Sequence, residues 1–494
     1  MKNTQFCQNL LSFFDKNGKA IVNLIVALAS NTGAKSVIEL ALNPVYFFQY
    51  SSICDAIDDV FKCKSQDATP DEKTKARLVF DKKSQAVFKD FLPPLWKDKY
   101  RLLNNDVTPI IRAHSPTLKD KVFVHTANNV ISGNKPISIG VNLSVIGLSA
   151  RENDVSWNLP LSMLKVPINL KSTEFAAQQL EIIVKNKELF ENDSFICASD
   201  SAYCNKKFTH PTYDLTQLIN IVRIAGNRNV FQQFDGVQHQ GRGRHTEYGN
   251  TFKLNDATTH SQPNQTVEFE IVLKKKQRKC KVIAKQYNNM IISGSRSHKM
   301  SDKPFNLISI DVFDIQTNEK VFAKTLWLTV WGHKRNEVTI NDVYEAFRLR
   351  FDIEFFFRLG KQKLLLDKFQ TPDTEHLENW FEIVKHSYWL LYLSRNEGKN
   401  IVHKWEKYLP KYNNQNVKEL DYYSTKTPTQ TQRAMPEIIC GFAKKLLIPK
   451  TRNKSSGRKS GEKQSPRKRY EVVKKGKITP KKVKENQNLN TAKK

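Results

Sequence analysis

The chain has 494 residues, of which 39% are hydrophobic and 10% aromatic, so a wholly disordered or low-complexity protein is excluded and more than one domain can be accommodated. The net charge of +30 favours a polyanionic partner. The seven cysteines are scattered without a CxxC pair, which argues against a disulfide framework or a zinc site and indicates a reducing cytoplasm.

The basic charge is shared between the C-terminal tail and the rest of the chain. Residues 450–494 contain 17 Lys/Arg and 3 Glu, a net +14, which leaves +16 on the other residues. A folded body that is itself basic favours nucleic acid as the partner. The longest apolar run, AIVNLIVALAS at 20–30, is too short to span a bilayer and lacks the flanks of a secretory signal, so it predicts a core helix and no membrane association.

Apolar residues recur at three- and four-residue intervals through the first region of the chain, residues 1–98, which predicts helices. DNA binding by this region is a hypothesis, since it contains no clear helix-turn-helix signature. From about residue 100, short β-like runs alternate with a helical segment at 172–190, and this pattern predicts an α/β sheet. Residues 99–234 are therefore assigned to the first part of a catalytic core.

The later part of the chain divides into three segments. Residues 235–320 are polar, Gly-punctuated and alternating, which predicts an antiparallel β insertion. Residues 321–425 complete the core, with a strand TLWLTVWG, a long helix that bears Glu354 and a packing helix at 374–395. Residues 426–494 predict a Pro/Thr-rich linker followed by a basic tail, disordered from about residue 450.

The segment FRLRFDIEFFFRLGKQK at 347–363 combines aromatic and charged residues in an unusual way. On one continuous helix, with about 100° per residue, a stripe about 80° wide would carry Phe347, Arg350, Glu354, Arg358 and Lys361. A row of i,i+4 ion pairs on a solvated face would explain the charges. However, the phenylalanines leave little helix surface for water, and a carboxylate flanked by cations in such a place indicates a functional site.

Two further carboxylates are expected at strand ends. Asp106 comes at the end of YRLLNND, before a turn that contains proline, and Asp200 follows SFICAS among small residues. Together with Glu354 they would form an all-oxygen cluster suited to Mg²⁺ or Mn²⁺, and in a basic protein this suggests two-metal phosphodiester chemistry. An Asx turn at Asp106 and a helix cap at Asp200 remain alternatives.

These residues resemble those of bacterial insertion-sequence DDE transposases of the group with the Y-R-E-K signature. The signature, Y-x2-R-x3-E-x6-K, is matched by Phe347, Arg350, Glu354 and Lys361 in register. The family's first Asp context is similar to Asp106-Val107-Thr108, and its second is similar to CASDSAY around Asp200. The resemblance covers roughly residues 100–400.

The resemblance implies an RNase H-like catalytic core in which Asp106, Asp200 and Glu354 hold two Mg²⁺ or Mn²⁺ ions. It also implies cleavage of double-stranded DNA at the terminal inverted repeats of an element, transfer of the ends into target DNA, and a homodimer assembled on the DNA. No small-molecule substrate is implied. The expected location is the bacterial cytoplasm, at the nucleoid.

The same resemblance implies DNA contacts by Arg350, Lys361 and Arg358, whose cations would hold phosphates near the scissile bond. Trp327 occupies roughly the place of a family aromatic that stacks on a displaced base, with burial in the core as the alternative and Trp331 as a rival. Phe347 stands where the family has tyrosine, so a phosphate-contacting hydroxyl is missing. The hairpin intermediate common in the family is therefore the step least supported here.

Two other functions remain open from the sequence. An RNase H-like nuclease without strand transfer would need the same acids but no paired DNA ends. A non-catalytic DNA-binding descendant of a transposase would keep the basic charge, although the intact set of three acids argues against it.

Overall fold

The computed structural model describes residues 2–64, 67–126, 137–152, 155–238, 240–241, 245–273, 278–398, 401, 425–440, 457, 459–463 and 465–473. The α-helices are α1 Lys2–Phe13, α2 Gly18–Ala29, α3 Ser51–Asp58, α4 Pro70–Gln85, α5 Ser172–Val184, α6 Lys187–Phe190, α7 Lys206–Tyr213, α8 Ile340–Leu349, α9 Asp352–Lys363, α10 Thr374–Leu393 and α11 Pro428–Cys440. The strands are β1 Tyr100–Ile111, β2 Val122–His125, β3 Ile137–Glu152, β4 Val155–Lys165, β5 Ser194–Ser199, β6 Leu218–Ile224, β7 Asn229–Gln233, β8 Tyr248–Lys253, β9 Gln265–Leu273, β10 Arg278–Ile291, β11 Phe305–Asp314 and β12 Leu326–Trp331. No helix within the described ranges is both long and apolar enough to cross a membrane.

These strands belong to one large mixed sheet, which confirms the predicted α/β class. The order along the sheet is β2-β3-β1-β5-β6-β12-β11-β10-β7-β8, with β4 paired to β3 and β9 paired to β10. The pairs β1–β5 and β5–β6 are parallel, whereas β1–β3, β3–β4 and β6–β12 are antiparallel. Strands β9, β10 and β11 lie in the segment predicted as an insertion; they are antiparallel and extend this same sheet.

The centre of the sheet is buried on both faces. Successive apolar residues of β6 alternate between two core clusters, with Leu218 and Val222 on one side and Ile219 and Ile221 on the other. This arrangement explains why β5 and β6 read as continuous apolar runs rather than as alternating strands. Helix α7 packs against β6 on the face that holds Leu218 and Val222. Helix α8 packs against β5 and β6 on the opposite face, which holds Ile219 and Ile221.

Helix α10 is the centre of the larger core. Its residues from Trp380 to Leu393 are all buried, because the helix contacts β4 on one side and α2 and α3 on another. The helices predicted for the first 98 residues are confirmed, and they share this core with the sheet. A helix that is buried on all sides is expected only where neighbours surround it, as they do here.

Three local predictions differ from the structure. The predicted helix at 172–190 is divided between α5 and α6, and β4 was not predicted because its run of buried residues resembles a core helix as much as a strand. The predicted single helix across 347–363 is broken at Arg350 and Phe351. At the break, hydrogen bonds of the 3₁₀ type join residues three apart: the Ile353 N–H donates to the Arg350 carbonyl, and the Glu354 N–H donates to the Phe351 carbonyl.

A short segment of the C-terminal tail is ordered against the sheet, contrary to the predicted disorder from residue 450. Val473 forms a parallel bridge with Val122 of β2, and its N–H donates to the Lys121 carbonyl at 2.8 Å. β2 is the outermost strand at this end of the sheet, so its free edge provides the donors and acceptors for such pairing. The predicted Pro/Thr-rich linker from residue 426 is also wrong in part, because it contains the helix α11, which packs against α10 and buries Ala434 and Met435. Most of the remaining tail lies outside the described residues.

A buried group of charges joins the N-terminal helices to α10. The Lys385 ammonium lies 3.0 Å from Asp81 of α4 and 2.9 Å from Glu382, and it also donates to the Ser84 hydroxyl at 2.8 Å. His386 lies 3.0 Å from Glu382. Although burial opposes ionisation, Lys385 and His386 hold the pKa of Glu382 below its usual range. Because Lys385 faces two carboxylates, its removal would leave both of them buried without a full counter-charge.

We predict that Lys385→Met lowers the free energy of unfolding by about 3–5 kcal/mol, the typical cost of leaving a buried charge unpaired. The matched control is Lys185→Met, which breaks an exposed i,i+4 pair with Glu181 and should cost no more than about 0.5 kcal/mol. Urea unfolding of both variants at pH 7 measures the difference. Equal destabilisation by the two substitutions would contradict the role given to the buried cluster.

Candidate active site

Asp106 lies in the middle of β1, at the level where the neighbouring strand β5 ends. β1 pairs in parallel with β5 as far as Asn104 opposite Ala198, and Asp200 directly follows β5. This register brings Asp106 and Asp200 side by side at the carboxyl edge of the parallel strands, where α/β sheets commonly bind ligands. The sequence predicts a strand end at Asp106; the structure instead continues β1 to Ile111, because β3 still pairs with this part of the strand.

Pro109 misled the sequence prediction, since proline usually interrupts a central strand. It is tolerated in β1 because β5 has already ended, so the strand has a pairing partner on one side here. The Asx alternative for Asp106 is met only in part: its Oδ1 accepts from the next N–H, that of Val107, at 2.8 Å, while the backbone remains in the sheet.

Asp200 stands at the start of a short 3₁₀ helix, Ser201–Tyr203, but its side chain makes no capping hydrogen bond. Its Oδ1 atom is buried and has no hydrogen-bond partner among the described residues. A buried carboxylate oxygen without a donor is costly unless something else binds it. The helix-cap alternative for Asp200 is therefore not supported. A bound cation would satisfy the Oδ1 atom.

Arg350 connects the sheet to α9. Its side chain is 6% exposed, and its two terminal nitrogens lie 3.9 Å from Asp106 Oδ2 and 3.9 Å from Glu354 Oε1. The guanidinium also lies over the Phe351 ring, 4.8 Å from its centroid. Because the helix breaks at this residue, Arg350 approaches β1 while Glu354 begins the next helix with its side chain half exposed. The three carboxylates of the sequence prediction are thus brought into one neighbourhood.

Electrostatics confirm that the carboxylates are close to one another. Burial raises the pKa of Asp106 to about 6, and the nearby charges of Asp200 and Glu354 add to the increase. The Val107 N–H and Arg350 act in the opposite direction. A carboxyl group whose pKa is raised by burial and by neighbouring acids is typical of functional sites.

Two of the predicted DNA-binding cations have defined neighbours. The Lys361 ammonium donates to the Thr108 hydroxyl at 2.6 Å and to the Pro109 carbonyl at 3.1 Å, so it ties α9 to β1 beside Asp106. Burial lowers the pKa of Lys361. Arg358 is exposed on the same helix, with its guanidinium 5.6 Å from the Phe355 ring centroid.

Three aromatic side chains considered for stacking on DNA are buried. Trp327 is 6% exposed and packs edge-on against Phe252, 6.0 Å between ring centroids, so the core alternative holds in this conformation. Trp331 is fully buried, and its indole N–H donates to the Thr329 hydroxyl. Phe347 is 5% exposed and belongs to the core cluster around α8. Its burial provides a packing reason for the phenylalanine.

The aromatic residues that are exposed at the site are Phe351 and Phe355. They are 48% and 55% exposed, and they flank Glu354 in the sequence, one four residues after the other. The prediction that these phenylalanines leave little helix surface for water is wrong for both side chains. If a separate helix is assumed to begin at Asp352, its buried face is formed by Ile353, Phe356 and Phe357. The exposure of Phe355 on the other face then follows from the sequence.

Tyr203 is a further residue that the sequence analysis missed. It is 3% exposed, and burial raises the pKa of its hydroxyl well above the ordinary value, with the charges of Asp106 and Asp200 contributing. It therefore remains neutral and closes the floor of the site next to the two aspartates. Its position one turn after Asp200 could not be assigned before the 3₁₀ helix was known.

The chemistry of the donors fits a hard divalent cation. Three carboxylates provide oxygen ligands only, and the unpartnered Asp200 Oδ1 is an atom that a metal ion would satisfy. Within the described residues, no three His, Cys, Asp or Glu side chains lie close enough together to form a metal-binding group. Asp106 and Glu354 are instead bridged by the Arg350 guanidinium.

No protein-family model matches the sequence, and a search of curated proteins finds no match.

We predict that Asp106→Asn stabilises the protein at pH 8 in the absence of divalent cations. The folded-state pKa of about 6 lies above the unfolded value, so ionisation of Asp106 costs folding energy that accumulates from about pH 4 and is complete above pH 6. Asparagine removes this cost, about 1–3 kcal/mol for a shift of roughly two pKa units. Urea unfolding should show the gain at pH 8 and little difference at pH 4; a gain independent of pH would contradict it.

Proposed function

We propose that the protein is a metal-dependent DNA transposase of the DDE type, which cleaves DNA at the ends of an element and joins those ends to target DNA. The observation that carries the proposal is the position of Arg350 between Asp106 and Glu354, with Asp200 beside Asp106 at the edge of the sheet, in a chain with a net charge of +30. The order β4-β3-β1-β5-β6, three antiparallel strands followed by two parallel ones, supports an RNase H-like core.

Asp106, Asp200 and Glu354 would hold two Mg²⁺ or Mn²⁺ ions. When bound, such ions lower the pKa of an attacking water or hydroxyl and neutralise the charge on the leaving oxygen. Of the three side chains, Glu354 is half exposed, whereas Asp106 is largely buried. The site would thus present its metal-binding oxygens to an extended substrate from one open side.

The cations of the chain would bind the DNA backbone. Arg350 is held between two carboxylates, which restricts its rotation, and its remaining N–H groups would donate to the scissile phosphate. Lys361, fixed to β1 through Thr108, would hold a neighbouring phosphate. Arg358 is more exposed and would add electrostatic attraction along the strand.

Phe351 and Phe355 would provide apolar faces for DNA bases next to the site. Both rings are exposed beside Glu354, and each carries an arginine against it, which is the combination that favours stacking of unpaired bases. Phe351 and Phe355 would thus stack on DNA bases, a role for which Trp327 is too deeply buried.

Duplex DNA is accordingly the proposed partner, and transfer of two ends would require a homodimer assembled on the DNA. A nuclease that cuts without strand transfer is the second candidate, because the same three acids would support hydrolysis alone. A non-catalytic DNA-binding descendant would not need the unpartnered oxygen of Asp200. Joining of a cleaved end to a second DNA molecule distinguishes the first candidate from both others.

We predict that Asp106→Asn, Asp200→Asn and Glu354→Gln each reduce DNA strand cleavage by about 10³-fold or more while DNA binding remains, since each removes a ligand that positions a reacting atom. The substrate is a plasmid that carries the coding sequence with its flanking DNA, incubated with Mg²⁺. Glu319→Gln, at an exposed position after β11, is the matched control and should cleave at the wild-type rate. Cleavage by any one of the three site variants at the control rate would refute the assignment of that residue.

We predict that Phe351→Ala and Phe355→Ala each weaken binding of DNA with an unpaired terminal base by about 5- to 100-fold, the range that corresponds to loss of one stacked base. Fully paired DNA should be affected much less. Phe322→Ala is the control, because Phe322 is also half exposed but lies after β11. Fluorescence anisotropy at fixed salt measures the three affinities, and equal effects of all three substitutions would contradict a stacking role.

A further inference from the structure

The C-terminal segment from 465 to 473 is attached to the outer edge of the sheet. Besides the Val473 contacts with β2 and Lys121, the Tyr470 N–H donates to the Pro116 carbonyl at 3.0 Å. These two hydrogen bonds fix the backbone on either side of Glu471 and Val472. We name residues 465–473 the docking segment.

The docking segment holds a basic triplet, Arg467, Lys468 and Arg469, at a defined place. All three side chains are exposed, and none forms an ion pair with a described residue. The Lys468 ammonium lies 5.6 Å from the centroid of the Tyr470 ring, which leaves its charge available. Three neighbouring cations without acidic partners are costly through mutual repulsion and are usually compensated by an anionic ligand.

Arg467 and Lys468 line a cavity of about 840 Å³ that lies between α4, the end of β4, the start of α10 and the segment after β1. Lys73 and Lys119 line the same cavity, and they too form no ion pair among the residues that the structure describes. The cavity is therefore bordered by four cations that the protein itself does not neutralise.

The acids of the cavity wall are already engaged. Asp58 pairs with Lys62, Asp120 lies 3.8 Å from Lys165, and Asp373 accepts the N–H groups that begin α10. Glu375 accepts the Cys63 N–H, and Glu378 accepts the Lys165 N–H. Because the carboxylates are satisfied and the four cations are not, the surface attracts an anion rather than a cation. The charges come from elements far apart in the sequence, so only the docked arrangement assembles them.

We propose that the docking segment is a fixed clamp for the phosphates of duplex DNA, in which pairing with the β2 edge holds Arg467 and Lys468 beside Lys73 and Lys119, and Arg469 follows them in the chain. This inference rests on the proposed function, since it takes DNA as the polyanion. It differs from a flexible basic tail in one respect: the position of the cations contributes to affinity, and not their number alone.

Two variants separate position from charge. The triple substitution Arg467→Ala/Lys468→Ala/Arg469→Ala removes the charges and keeps the backbone pairing. Val473→Pro keeps every charge and removes the N–H that donates to the Lys121 carbonyl. The charge-matched control is Lys481→Ala/Lys482→Ala/Lys484→Ala, which removes three cations from the same tail. Hydrogen exchange of the Tyr470 amide, which donates to the Pro116 carbonyl, reports docking in each full-length protein, and thermal unfolding checks the fold.

Binding of a 30-base-pair duplex is then measured between 50 and 300 mM KCl. The triplet variant should lower the slope of log affinity against log salt by about 3, one unit for each lost phosphate contact. Val473→Pro should lose exchange protection at the Tyr470 amide and weaken binding by about 10-fold or more, while the control triple changes either quantity much less. Wild-type affinity in Val473→Pro despite lost protection, or equal effects of the two triples, would overturn the clamp.

The clamp and the proposed function fail in different ways. If the wild-type protein binds the duplex and responds to these variants but does not cleave DNA with Mg²⁺, the clamp stands and the transposase proposal fails. If it cleaves and the variants bind like the control, the clamp fails and the proposed function stands. Absence of duplex binding by the wild-type protein would overturn both.

Discussion

The position of the Arg350 guanidinium between Asp106 and Glu354 is the interaction on which the candidate site depends. Asp106 belongs to the sheet and Glu354 to a helix more than 200 residues later in the sequence, and Arg350 lies 3.9 Å from each. Without a cation between them, two carboxylates and the adjacent Asp200 would repel one another in a partly buried environment. Arg350 therefore holds the acids together, and a divalent cation would carry out the same neutralisation more completely.

Several parts of the fold cooperate to keep Arg350 there. The helix breaks at Arg350 and Phe351, so the side chain leaves the core layer of α8 and reaches β1. Lys361 ties the far end of α9 to Thr108, two residues after Asp106, which limits rotation of the helix about its axis. Behind α9, Phe356 packs edge-on against Tyr388 of the buried helix α10. The rigidity of the core is thus transmitted to the half-exposed Glu354.

Local patterns in the sequence were sufficient to identify most elements and all three acids. Thr339 and Asp342 form the predicted capping box that begins α8. Asp106, by contrast, lies within β1 and not at its predicted end, and it comes next to Asp200 because β5 ends at this level. The break at Arg350 was not predicted, since no glycine or proline marks it and each residue near it retains helical backbone angles. Its cause is tertiary: packing of Phe347 on one side and Ile353 on the other fixes two helix axes rather than one.

Burial of individual side chains was the least predictable property. Trp327 and Phe355 are both large aromatics with an apolar neighbour in the sequence, Leu326 and Phe356 respectively, yet one is 6% and the other 55% exposed. The difference arises from distant partners: Phe252 and Tyr287, on β8 and β10, cover Trp327, and such pairing of strands cannot be read from a single sequence. The docking of residues 470–473 on β2 depends on an equally distant contact.

Iron-mediated cleavage of the polypeptide tests most directly whether the three carboxylates form one metal centre. Fe²⁺ that replaces Mg²⁺ generates hydroxyl radicals at the metal position in the presence of ascorbate and peroxide, and these cut the backbone nearby. If Asp106, Asp200 and Glu354 share the metal ions, the cuts will fall near residues 104–108, 198–202 and 352–356, and they will disappear with excess Mg²⁺ or in Asp200→Asn. Cuts confined to other segments, or cuts at these segments that persist in Asp200→Asn, would contradict the metal centre.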